Sequence, residues 1–221
     1  MKKAVFLDRD GTVNKIVSFP ELGLLDSPLN PRQFCLLPDV AEAIRIFNGL
    51  GLKVIIASNQ PGIAKKKMSH EIFEKIRLKM RKELEKKKAH IDAEYYCFHH
   101  PSALDPEYKL DCRCRKPEPG LLLKAAVDLG LDLSECYIIG DSLIDIKAGR
   151  TAGCRTCLIG IPKCDLCKFM DEEKVKPDII VANLLQASKL IEKEIREQGS
   201  QNRLASITSI GLPRCRGCPA W

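Results

Sequence analysis

The chain has no long apolar run. Its longest stretches, such as Val54-Ile55-Ile56-Ala57, fall far short of the ~20 apolar residues that a membrane-spanning helix needs. A secretory leader is not expected either, because only Ala4 to Leu7 separate the basic Met1-Lys2-Lys3 from Asp8. A cytosolic location and no membrane partner are the corresponding expectations. Aromatic residues are scarce at 5%, which leaves little to stack against unpaired bases. The absence of an internal repeat sets aside repeat architectures.

What is present fits one globular unit. The 221 residues are 45% hydrophobic and 29% charged, enough to bury a single sizeable core. Eleven cysteines are many for a reducing compartment, where clustered thiols are first tested as metal ligands rather than disulfides. The net charge of +7 suggests an anionic partner, either nucleic acid or a phosphorylated metabolite. Much of it lies in Lys65-Lys66-Lys67 and Lys86-Lys87-Lys88, at the two ends of one predicted helix. Those runs read as a solvated face, and no aromatics interleave them, so nucleic acid is not the expected partner.

Strands are expected at Ala4–Leu7, Lys53–Ala57, Ala93–Tyr96, Cys136–Ile139, Arg155–Ile159 and Asp178–Val181. Helices are expected after Pro38-Asp39, after the capping Ser69, and over 120–129, 143–150 and 184–196. This alternation predicts an α/β fold, a parallel sheet covered on both faces in three Rossmann-like layers. Residues 1–198 are expected to form the domain, and 199–221 a loosely ordered tail. Val13–Leu37 reads as a long connection with little periodicity, of a length more often functional than idle.

Active residues in such a sheet collect at the carboxyl ends of the strands. Those ends carry Asp8 and Asp10, then Ser58 and Asn59, then Asp141 and Asp145, with Lys116 shortly before the fourth strand. An aspartate can attack phosphorus and form an aspartyl phosphate. A second acid, Asp10, would protonate the leaving alkoxide and later activate water. Asp8 and Asp141 suit Mg²⁺, which takes few carboxylates plus water and phosphate oxygens. The lysine and hydroxyl donors would hold the phosphoryl oxygens as charge develops. Separately, Cys97-x-His99 and Cys112-x-Cys114 make a closed Cys₃His set of the structural zinc type, bracketing a Pro-rich loop. His100 is the competing imidazole, ranked second. Cys164-x-x-Cys167 and Cys215-x-x-Cys218 are spaced too widely for a common second zinc site, and Cys35 and Cys136 read as ordinary buried residues.

Asp8-x-Asp10-Gly11-Thr12, Ser58-Asn59, Lys116 and Gly140-Asp141-x-x-x-Asp145 resemble, in order, the four motifs of the haloacid dehalogenase-like (HAD) phosphohydrolases. The resemblance implies Asp8 as nucleophile, Asp10 as general acid/base, and Mg²⁺ held by Asp8, Asp141 and the Asp10 carbonyl. It implies phosphate contacts from Ser58 and Lys116, and in Asp145 a residue that orients the site. Ser58-Asn59-Gln60-x-Gly62-Ile63-Ala64, Tyr95-Tyr96-Cys97-x-His99-His100-Pro101 and Cys112-x-Cys114-Arg115-Lys116-Pro117 are similar to the D-glycero-D-manno-heptose 1,7-bisphosphate 7-phosphatase subfamily. Zinc-bearing histidinol-phosphatases are its near relatives. That likeness implies sugar or substrate-phosphate contacts from Asn59 and Arg115, a zinc loop over 97–116, no large cap domain and a small phosphorylated sugar as substrate. A monomer is expected. Histidinol phosphate is the alternative substrate, and a nucleic-acid 3′-phosphatase and a phospho-acceptor switch are the competing classes. The chain departs from many relatives at Ser142, where a basic residue is common, and in the length of Val13–Leu37.

Overall fold

The structure, a computed structural model, describes residues 2–160 and 170–201. Cys164, Cys167, Cys215, Cys218 and all but the first residues of the expected tail lie outside them. Six parallel strands make the main sheet: β1 (Ala4–Leu7), β4 (Lys53–Asn59), β5 (Ala93–Cys97), β6 (Tyr137–Gly140), β7 (Arg155–Ile159) and β8 (Ile179–Val181). Their order is β5-β4-β1-β6-β7-β8. β1 is central, with Phe6 registered against Ile55 on one side and Ile138 on the other.

Continuous apolar strands are what a sheet buried on both faces requires. Val5, Leu7, Val54, Ile56 and Ile139 face one layer, formed by helices α1 (Val40–Gly49), α2 (His70–Lys86) and α5 (Leu184–Gln201). Ala4, Phe6, Ile55, Ala57 and Ile138 face the other, where α3 (Gly120–Leu129) packs. Helix α4 (Leu143–Ala152) lies against β6 and β7 beside α3. The α2 stripe Phe73, Ile76, Met80 and Leu84 is buried, and the Ser69 side chain accepts from the Ile72 amide as its N-cap. Among the described residues no helix is long and apolar enough to cross a membrane, and no cap domain interrupts the α/β unit.

Three local readings change. The Val13–Leu37 connection contains an antiparallel hairpin, β2 (Val17–Phe19) with β3 (Leu24–Asp26), pairing Ser18 with Leu25. Its strands have three residues each, too short for a periodicity to register. Cys35 is exposed rather than buried. Phe34 enters the core, and its neighbour on an extended chain turns outward. Helix α1 begins at Val40, with Asp39 left-handed (φ 60°) and making no side-chain cap.

The central position of β1 gives a stability expectation. Phe6 is fully buried between β4 and β6, so Phe6→Ala should cost about 3–5 kcal/mol, read as a lower urea midpoint at unchanged slope.

Candidate active site

Three neighbouring strands end in one cleft. Chain leaving β1 carries Asp8 and Asp10, the end of β4 carries Ser58 and Asn59 with Gln60 just beyond, and chain leaving β6 carries Asp141. The crowding there demands glycine. Gly11 has φ +86°, and a Cβ on it would lie 2.0 Å from Asp141 Oδ2, so only a residue without a side chain lets the two turns meet.

Lys116 binds these ends together from below. Its Nζ donates to Asp8 Oδ1 (2.8 Å), Asp145 Oδ1 (2.5 Å) and the Ala57 carbonyl (2.7 Å). A lysine ammonium has three protons, and all three are engaged. Burial alone would lower the Lys116 pKa, but the Asp145 and Asp8 carboxylates outweigh it and hold the amine above its ordinary value. Asn59 aims Lys116 through its peptide unit: Asn59 Nδ2 donates to the Lys116 carbonyl (2.9 Å), and the Lys116 amide donates to Asn59 Oδ1 (3.0 Å). Asp145 also accepts from the Ser142 amide (3.2 Å), completing a capping box at the start of α4. Its immersion in that network fits an orienting role rather than open access.

Asp10 has a separate environment. Arg9, fully buried, donates through Nε and Nη2 to Asp10 (3.0–3.2 Å) and through Nη2 to Gln60 Oε1 (2.7 Å). Its guanidinium lies 5.7 Å from the centre of the Phe73 ring, a cation–π contact that helps compensate the lost water. Asn14 Nδ2 (2.9 Å), Gln60 Nε2 (2.6 Å) and Ser27 Oγ (2.9 Å) also donate to Asp10. Burial would raise this carboxyl, but Arg9 and the Asn14 and Gln60 hydrogen bonds overcome it and keep the pKa below its usual value. Ser58 Oγ is buried and accepts from Gln60 Nε2 (3.1 Å).

Asp141 has no such support: among the described residues no lysine or arginine pairs with it. Burial, reinforced by Asp8 and Asp145 nearby, pushes its pKa up to about 7. Carboxylate oxygens of Asp8, Asp141 and Asp145 all lie within 4.8 Å of one another. Four carboxylates at the site, Asp8, Asp10, Asp141 and Asp145, thus face two buried cations, Arg9 and Lys116. This excess of negative charge, with all-oxygen donors, fits a divalent cation such as Mg²⁺.

Residues 98–119 form the outer wall. The thiols of Cys97, Cys112 and Cys114 and Nδ1 of His99 converge, with Sγ–Sγ separations of 3.2–3.6 Å and Nδ1–Sγ separations of 3.3 and 3.7 Å. A disulfide would need ~2.0 Å. Four ligands at tetrahedral corners around zinc, with bonds of ~2.3 Å to sulfur, stand roughly 3.8 Å apart, so the cluster has nearly the required size. His100 turns away, its Nδ1 accepting from the Ser102 amide (2.9 Å). Arg115 Nη1 donates to the His99 carbonyl (3.1 Å), tying this wall to the residue before Lys116. Arg9 and Gln60 lie inside the strand-end motifs and Asn14 two residues beyond the first, but their bonds to Asp10 have no local sequence signature, and neither has that of Ser27.

The HAD-hydrolase-like family model matches residues 113–187. D-glycero-alpha-D-manno-heptose-1,7-bisphosphate 7-phosphatase of Photorhabdus laumondii is 32% identical over 192 residues, covering 86% of this chain and 97% of the relative. The D-glycero-beta-D-manno-heptose-1,7-bisphosphate 7-phosphatase of Escherichia coli is 35% identical over 153 residues, covering 69% and 76%. The chain belongs to the HAD-like phosphatases. Its structure is similar to that of D,D-heptose 1,7-bisphosphate phosphatase from B. bronchiseptica complexed with magnesium and phosphate. The TM-score is 0.71 at 28% identity, over 88% of this chain and 99% of that one.

The electrostatics of this phosphatase site have a measurable consequence. Asp141 titrates near 7 in the folded chain against 3.8 for the free group, so its ionisation opposes folding increasingly as pH rises through that interval. In buffer without Mg²⁺, Asp141→Asn should therefore be more stable than the wild type, by a margin that grows from pH 4 to 7 and then levels. One proton bounds the slope at ~1.4 kcal/mol per pH unit. Thermal melts across pH test it; a margin that shrinks with pH would contradict the assignment.

Proposed function

We propose that the chain removes the 7-phosphate of D-glycero-D-manno-heptose 1,7-bisphosphate through an aspartyl-phosphate. The observation carrying this reading is the pair Asp8 and Asp10, two positions apart in the chain but held by different partners. Lys116 grips one oxygen of Asp8, while Arg9, Asn14, Gln60 and Ser27 hold Asp10 apart from it. The likeness to relatives named for heptose bisphosphates supports the substrate. Relatives named for the alpha and the beta anomer match at similar identity, so the anomer is a matter for measurement.

In the first half-reaction an Asp8 oxygen bonds to phosphorus as the phosphorus–oxygen bond to the sugar breaks. Asp10, which takes up a proton from solvent once the anionic phosphate lies beside it, gives that proton to the departing alkoxide, which leaves as the sugar hydroxyl. In the second, Asp10 takes a proton from water, whose oxygen attacks phosphorus and releases phosphate and the Asp8 carboxylate. Mg²⁺, when bound by Asp8, Asp141 and the Asp10 carbonyl, supplies charge neutralisation for the phosphoryl oxygens. Ser58, with Asn59 and Arg115 at the rim, would meet the phosphate and sugar. Lys116, whose three protons are already committed, acts first on Asp8 and Asp145 and reaches phosphate only by exchanging one of them. Zinc at Cys97, His99, Cys112 and Cys114 would hold the outer wall in shape. We read residues 1–198 as one catalytic unit that works as a monomer on a small anionic metabolite, in the cytosol. Neither nucleic acid nor a membrane is part of this reading.

Steady-state rates on both heptose 1,7-bisphosphate anomers, fructose 1,6-bisphosphate, histidinol phosphate and a 3′-phosphorylated oligonucleotide test this function. The highest kcat/KM should fall on a heptose bisphosphate, and Asp8→Asn should lose at least about a thousandfold. Preference for histidinol phosphate or the oligonucleotide would overturn the substrate, and an active Asp8→Asn the mechanism. Metal analysis of protein purified without chelator should find about one zinc per chain, lost in Cys112→Ser; a metal-free wild type would sink the zinc assignment.

A further inference from the structure

We infer that Ser27, at the foot of the β2–β3 hairpin, is a positioning residue for the Asp10 carboxylate. The inference rests on the reading of Asp10 as the general acid/base. Ser27 lies 17 residues from Asp10 in the chain, yet its Oγ donates to Asp10 Oδ2 at 2.9 Å.

Its place among the Asp10 partners sets it apart. A carboxylate offers about four lone-pair sites, and four side chains donate here: Arg9, Asn14, Gln60 and Ser27. Arg9, Asn14 and Gln60 are buried and belong to the turns after β1 and β4. Ser27 is half-buried and directly follows strand β3, so among these four partners it is the one that joins the hairpin to the acid. As placed, the three buried partners present only N–H groups to Asp10. A hydroxyl is the partner that can reverse its hydrogen bond when the carboxyl carries the proton it will donate.

Ser27 is itself held. Its backbone amide donates to Asp26 Oδ1 at 2.8 Å, and the other Asp26 oxygen pairs with Lys67 Nζ. Lys67 sits in the turn that follows Gln60, with its amide bonded to the Gly62 carbonyl at 2.8 Å. The hairpin foot and the post-β4 turn are therefore clamped to each other by Asp26–Lys67. Both then reach the same Asp10 oxygen, one through Ser27 and the other through Gln60. This arrangement gives the long connection a chemical task, since it fixes the rotation of the Asp10 carboxyl that must face the leaving oxygen.

Leaving-group dependence tests the inference. A sugar alkoxide needs its proton in the first step, whereas p-nitrophenolate leaves without much help, and kcat/KM reports that step. Ser27→Ala should lower kcat/KM about tenfold on D-glycero-D-manno-heptose 1,7-bisphosphate and far less on p-nitrophenyl phosphate. Ser27→Thr, which keeps the hydroxyl, should restore the sugar-phosphate rate. Asp26→Ala should move the ratio in the same direction by less. Wild-type rates in Ser27→Ala, or equal losses on both substrates, would overturn the inference. Asp10→Asn separates the two readings: if it stays active, the acid/base assignment itself fails. If it is inactive while Ser27→Ala matches the wild type, only the role of Ser27 falls.

Discussion

One buried ammonium holds the site together. Lys116 Nζ joins Asp8 after β1, Asp145 on α4 and the Ala57 carbonyl on β4, so three elements of the sheet and its helices meet at one charge. Its three bonds leave the amine no proton for water, the condition under which a fully buried lysine stays charged. The same contact carries the outer wall inward, because Lys116 follows directly on Cys112, Cys114 and Arg115. Asn59 fixes the approach by bonding both the amide and the carbonyl of Lys116. A shift of the Cys/His cluster would therefore be felt at Asp8 through two residues of backbone.

Division of charge follows from that anchor. Asp8 and Asp10 differ by two positions, yet one rests against Lys116 and the other against Arg9. Environments this different let two like side chains take different tasks, nucleophile and acid/base in the proposed reaction. Asp141 receives neither cation and stands raised beside Asp8 and Asp145. That unbalanced carboxylate is the physical case for a divalent metal.

The periphery is built from two inserts on the carboxyl side of the sheet. The hairpin touches the site through Ser27, and the Cys/His loop touches it through Lys116. Few of their apolar side chains are buried, and ionic or thiol contacts help give them shape: Asp26 with Lys67 in one, and the thiols with His99 in the other. Among the described residues no cap domain covers the sheet, so in the proposed reaction these inserts would form the ground on which the sugar rests.

Much of this was legible along the chain. Apolar runs of four or five residues between amphipathic stretches dictate a parallel sheet, because burial on both faces leaves no polar alternation. Acids placed directly after those runs fall at strand ends by geometry alone, and two Cys/His pairs around a loop announce a ligand set. Short strands such as Val17–Phe19, the exposure of Cys35 and the partners of Asp10 were not legible, since each depends on neighbours distant in sequence. By itself the sequence determined the sheet, the candidate catalytic aspartates and the candidate metal ligands, through local pattern and chemical type. Only the tertiary structure decided which charge each aspartate meets, that Asn59 serves Lys116, and that Ser27 reaches Asp10. Those contacts join side chains that nothing in local sequence relates.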